Sequence, residues 1–121
     1  IYSQKMGDHE QFGIVAEASS VQYEQNLIKK HELTRKKKED DRTKLTDVQS
    51  ANVGPIFLCY RSVKEINDFV SKFVAGSKPF ADFVSDDGIQ HKLWIVSDEA
   101  SIGTLSKLFK EKVPCSYVAD G

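Results

Sequence analysis

Apolar runs of strand length and apolar stripes at helical spacing succeed one another along the chain. Ile1–Met6 and Phe12–Ala18 flank the turn Gly7-Asp8-His9-Glu10 and predict a hairpin. Ser19 and Gln22 have capping-box spacing, and Val21, Leu27 and Ile28 share a helical face, which predicts a helix running to about Glu32. Thr34 is placed to cap a second helix, Arg35 to about Val48, whose only large apolar residues are Leu45 and Val48. Asn52-Val53-Gly54-Pro55 reads as a turn before the apolar run Ile56–Tyr60, which has the length of a buried strand.

The clearest helix follows. Ser62 and Glu65 form a capping box, Val63, Ile66, Phe69, Val70, Phe73 and Val74 make one stripe, and Gly76 suits the C-terminal cap. Strands Phe80–Val84 and Leu93–Val96 flank the turn Asp86-Asp87-Gly88. Trp94 alternates within the second of them and is expected in the core. Asp98 caps a last helix carrying Ile102, Leu105, Leu108 and Phe109, ended by Pro114, and Cys115–Ala119 is the closing strand. The order β-β-α-α-β-α-β-β-α-β mixes hairpins with strand-helix-strand units. It predicts an α+β fold with a mixed sheet and three to four helices rather than a doubly wound parallel sheet.

With 121 residues the chain has the size of one domain, 1–121. Its 17 Lys and Arg against 18 Asp and Glu give a net charge of -1, which argues against a strongly basic nucleic-acid binder and an acidic tail. No apolar run approaches the ~20 residues that span a bilayer, and no leader pattern is visible, so a cytoplasmic protein is expected. The chain begins inside one strand and stops just past another, after Ala119-Asp120-Gly121, which suggests a fragment of a longer protein.

Cys59 and Cys115 are the only cysteines and belong to no CxxC or Cys/His cluster, so zinc is not expected. One disulfide between them is conceivable, but two buried thiols are the preferred reading. His9, His31 and His91 lack metal-site spacing and read as surface or hydrogen-bonded histidines. Residues 29–42 hold seven Lys or Arg and four Asp or Glu, a local excess able to receive phosphate, though Lys/Glu pairing on a solvated helix explains it more simply. The run has no aromatic platform, so nucleic acid is a weak reading. Gly-rich phosphate loops and a GxSxG nucleophile motif are absent, and Asp82, Asp86 and Asp87 are explained by turn chemistry.

Three stretches in register carry a resemblance: Lys29-Lys30-His31-Glu32-Leu33-Thr34 continuing to Asp41-Arg42, Asn52 through Arg61, and His91–Val96 followed by Tyr117–Gly121. Together they resemble the bacterial and archaeal domain-of-unknown-function family numbered 1015, over nearly the whole chain. In that family the segment matching Tyr117–Gly121 continues into His-His-Arg, a turn similar to that of the ParB and sulfiredoxin-like superfamily. Some members of that superfamily bind nucleotides and phosphorylate free serine. The resemblance implies a nucleotide-binding protein, a small-molecule kinase in its longer form, using ATP or ADP with magnesium. Residue by residue it points to Glu32 and Asp120 as catalytic carboxylates. It points to His31, Arg42, Asn52, Arg61, His91 and Gly121 as ligand- or phosphate-binding residues, with Gly54 as a turn requirement. The alternatives are a regulatory domain that docks a partner through the basic helix 29–42, and a scaffold fragment that packs against the remainder of its own chain or forms a homodimer.

Overall fold

The computed structural model describes residues 1–31, 33–51 and 54–121. Its elements are β1 (Tyr2–Met6), β2 (His9–Gly13), α1 (Ser20–Glu24), β3 (Ile28–Lys29), α2 (Lys36–Gln49) and β4 (Phe57–Cys59). They continue with α3 (Lys64–Gly76), β5 (Ala81–Val84), β6 (Gln90–Leu93), α4 (Glu99–Lys112) and β7 (Ser116–Asp120). The content is α+β, as expected. The chain divides into two compact units, one made of 1–18 with 62–113 and the other of 19–61 with 114–121.

The first unit is an antiparallel four-stranded sheet in the order β2-β1-β6-β5, with α3 and α4. Its first hairpin turns more tightly than expected. Met6 pairs with His9, and Gly7 at φ +59° supplies the positive φ that a two-residue hairpin needs. His9–Gly13 is therefore strand, and 14–18 is not. In the second hairpin β6 begins at Gln90, because Ser85 N–H reaches Ile89 O and brings Val84 opposite Gln90. Trp94 lies one residue past β6, yet its N–H still bonds Ile1 O at 2.8 Å.

The stripe read on α3 does form the core. Ile66 and Val70 are buried, and Val70, Ile1 and Trp94 make one cluster against which Phe69, Phe73, Val74 and Val96 pack. The expected capping box does not form. The helix starts one residue later, with Val63 at the N-cap, and Ser62 Oγ instead accepts from Asn67 Nδ2 at 2.9 Å. On α4 the expected cap is present: Asp98 Oδ1 accepts from the Ser101 N–H at 2.8 Å. A bridge of 3.3 Å from Lys112 to Glu65 joins the end of α4 to the start of α3, so the two helices run antiparallel.

The second unit is a three-stranded mixed sheet, β3-β7-β4, with α1 and α2. The helix expected from Ser19 to Glu32 is only α1, five residues long. Asn26 takes a left-handed φ of +59°, and Ile28 is then buried as a strand residue pairing with Ser116 of β7. Asn is one of the few residues that tolerates this conformation, so local backbone and sheet pairing override the helical spacing. Thr34 does not cap α2; its hydroxyl donates to Glu39 Oε2 at 2.9 Å, and Arg35 is the N-cap. The run Ile56–Tyr60 is not a buried strand. Only Phe57–Cys59 pairs, and Ile56 and Phe57 are both exposed. Cys59 is exposed and Cys115 half-buried, both as free thiols, which corrects the expectation of buried ones. Among the described residues no helix is long and apolar enough to cross a membrane.

Candidate functional site

The pairing in the second unit decides where the expected site residues stand. β7 ends and antiparallel β4 begins at one edge of the sheet, with Asp120 opposite Phe57, whereas the short parallel β3 stops level with Tyr117, near the start of β7. His31 follows β3 by two residues, Asp120 ends β7 opposite Phe57, and Gly121 lies beside Ile56. At Gly121 φ is +103°, and a Cβ would stand 3.1 Å from Ile56 Cα, so the residue suits both the backbone and the close approach. Gly54, at φ +82° with open space around it, is a turn glycine on the way into β4. Asp120 and Gly121 thus stand beside the start of β4, whereas His31 follows a strand that stops level with Tyr117, short of Asp120.

Other expected residues are not part of this edge. Arg61 lies past the far end of β4, since Cys59 already pairs with Tyr117 near the start of β7. It is close enough to Tyr117 to favour the ionised form of that phenol. Arg42 is an exposed residue midway along α2. Glu32 and Asn52 lie outside the described residues. His91 belongs to the other unit.

The surroundings of His91 were missed by the sequence reading. Its Nδ1 is 2.5 Å from the Tyr2 hydroxyl and its Nε2 3.0 Å from Ser85 Oγ, while the ring stacks on Phe83 at 5.1 Å. Ser85 Oγ is also 2.5 Å from Asp87 Oδ1 and 3.1 Å from Ile89 O, and the Ile89 N–H donates to Asp87. These bonds, that from Ser85 first, hold the Asp87 carboxyl below its usual range. Both nitrogens of His91 are engaged, so a phosphate there would have to displace Ser85 or Tyr2. The hairpin register, Phe83 opposite His91, was the signal that would have found the stacked pair.

Two open hollows lie elsewhere. One of about 580 Å³ runs along α2 among Lys37, Lys38, Asp40, Asp41 and Lys44. The other, of about 400 Å³, is formed where α3 meets α4, among Phe69, Lys72, Phe73 and Thr104. Among the described residues no three His, Cys, Asp or Glu side chains gather as a metal site.

The family described as "Protein of unknown function (DUF1015)" matches the chain over residues 1–121. The chain belongs to this family. No curated protein and no solved structure matches it. Membership of the family therefore rests on the whole chain, while the chemistry of the edge has to be argued from its own residues.

Proposed function

We propose that this family member binds a nucleotide and, in its longer form, transfers a phosphoryl group to a small hydroxyl acceptor of the free-serine type. The phosphates sit at the edge where β7 ends and β4 begins. One observation supports the reading: Asp120 at the end of β7 pairs with Phe57 at the start of β4, and Gly121 packs beside Ile56. Crevices at the carboxyl ends of strands are common ligand sites, because strand ends leave backbone groups and loop side chains facing outward. The resemblance of Asp120-Gly121 to the start of the ParB and sulfiredoxin-like turn supports the same edge.

In this reading Asp120 accepts the proton of the acceptor hydroxyl, work that phosphoryl transfer requires of a positioned carboxylate. Gly121 lets the backbone approach the phosphates. Magnesium would be held mainly by the phosphates and water with Asp120, as is usual for this ion. Arg61 and His91 stand outside this edge and carry no part of the proposal.

A thermal-shift series with ATP, ADP and CTP, with and without magnesium, tests it. The comparison is between this chain and a protein in which the family's His-His-Arg follows Gly121. Stabilisation of the longer protein, lost in Asp120→Asn, is the expected result; no stabilisation of either protein would remove the proposal.

A second reading has its own observation. α2 runs for 14 residues without one buried side chain and is dense in Lys, Arg, Asp and Glu, as in a docking element. It predicts a partner bound with steep salt dependence and indifference to nucleotides.

A further inference from the structure

The two cysteines both lie against Tyr117 of the three-stranded sheet. Cys59 ends β4 directly opposite Tyr117, and Cys115 precedes Tyr117 by two residues, immediately before β7. Paired residues of an antiparallel ladder share a face, and so do residues two apart along a strand. Both sulfurs accordingly reach Tyr117: Cys59 Sγ is 3.7 Å from its carbonyl oxygen and Cys115 Sγ 3.6 Å from its hydroxyl. Both thiols are free, and Cys59 is exposed.

We infer that Cys59 and Cys115 are a reversible redox pair that a hydroperoxide converts to an intramolecular disulfide. The exposed Cys59 reacts first, because susceptibility follows thiolate character and access. Its thiolate attacks the hydroperoxide oxygen, the O–O bond breaks, and the products are Cys59 sulfenic acid and an alcohol, or water when the oxidant is hydrogen peroxide. The Cys115 thiolate then attacks the Cys59 sulfur, forms the S–S bond and expels hydroxide, which leaves as water. Two thiols are oxidised and one peroxide is reduced.

The register also makes the bond a labile one. Diagonal neighbours on antiparallel strands have Cα atoms roughly 7–8 Å apart, whereas a disulfide closes at about 4.4–6.8 Å. The backbone must shift to close the gap. Cys115 lies outside the β7 ladder and directly follows Pro114, and Cys59 is the last residue of β4. A strained, partly exposed disulfide is easily reduced, which suits a switch rather than a permanent staple.

The experiment is peroxide treatment of the intact chain, followed by alkylation, intact mass and a non-reducing gel. Both thiols should disappear together, with the mass of two hydrogens lost and the chain still monomeric, and dithiothreitol should restore them. In Cys115→Ser the reaction should stop at a Cys59 sulfenic acid that dimedone traps, and in Cys59→Ser the Cys115 thiol should remain alkylatable at the same peroxide dose. Two thiols persisting in the treated wild type would overturn the inference. So would a disulfide found only between chains, or loss of the Cys115 thiol at an undiminished rate in Cys59→Ser.

Discussion

Trp94 donates its indole N–H to the carbonyl of Ser77 at 3.2 Å, tying the residue just past β6 to the first residue after α3. The ring is itself buried, with Ile1 and Val70 beside it and Phe12 at 6.3 Å. One side chain thus closes the sheet of the first unit onto its principal helix. Trp94→Phe would keep an aromatic ring but lose the bond and some volume, at a cost of about 2 kcal/mol. Denaturant unfolding followed by circular dichroism measures it, and an unchanged midpoint would refute the assigned role.

The same core predicts a sharp contrast along α3. Ile66, only 1% exposed, should cost about 2–5 kcal/mol on replacement by Ala. Lys64, whose ion pair with Asp68 lies on the solvent side, should be replaceable by Ala without a measurable change in the unfolding midpoint. Equal effects of the two substitutions would mean that α3 is not anchored by its apolar stripe.

That stripe was legible in the sequence because a helix with one wet face must repeat its apolar residues every three or four positions. Asp98 at the head of α4 was legible for a similar local reason, an acidic side chain whose oxygen can reach the N–H three residues on. The failures have physical causes as well. Val21, Leu27 and Ile28 share helical spacing, but Asn26 turns left-handed and Ile28 pairs with Ser116, near the other end of the chain, a partnership no local pattern displays. The candidate edge was legible only as unconnected stretches. The antiparallel pairing of β4 with β7 is what sets Asp120 and Gly121 beside Phe57 and Ile56 while leaving Arg61 at the far end. The clamp around His91 was hidden because it depends on the length of a turn that the sequence pattern places differently.

Acid should weaken the first unit through three carboxylates. Asp98 is held below its usual range by the Ser101 N–H, Asp87 by the Ser85 hydroxyl, and Glu65 by its own backbone N–H and then by Lys112. In each the charged form is favoured in the folded state, so the folded value lies below the unfolded one. Their stabilisation is complete above the ordinary carboxylate range and fades as pH falls through the depressed values. Melting temperature should therefore drop on acidification below about pH 4. Asp98→Asn keeps a capping oxygen and removes one titration, so its acid slope should be shallower than that of the wild type.

At the proposed phosphate edge, charge and position should separate cleanly. Asp120→Asn changes one oxygen for an amide at the end of β7 and should abolish phosphoryl transfer in the longer protein while leaving the fold intact. His91→Asn breaks the contacts to Tyr2 and Ser85 and should lower the melting temperature without altering the response to nucleotide. The opposite pattern, activity lost in His91→Asn and kept in Asp120→Asn, would move the site to the β5–β6 hairpin.

The Tyr117 phenol offers a spectroscopic view of the cysteine pair. It titrates above its ordinary value, first because of its bond to and charge repulsion from Cys115, with Cys59 adding to the effect and Arg61 opposing it. The neutral phenol is favoured in the folded chain, so its contribution to stability is full below the unfolded tyrosine range and is lost as pH rises through the raised value. Cys115→Ala removes the main cause, and the alkaline rise in tyrosinate absorbance assigned to Tyr117 should move to lower pH. Tyr60, raised by burial, should stay where it is and serves as the internal reference. Arg61→Ala should shift Tyr117 the other way, upward, because it removes a positive neighbour that favours phenolate. Oxidation of the two thiols should reproduce the Cys115→Ala shift, since a disulfide carries no thiolate beside the ring. An unmoved Tyr117 titration in both the variant and the oxidised protein would show that its hydroxyl does not sense Cys115.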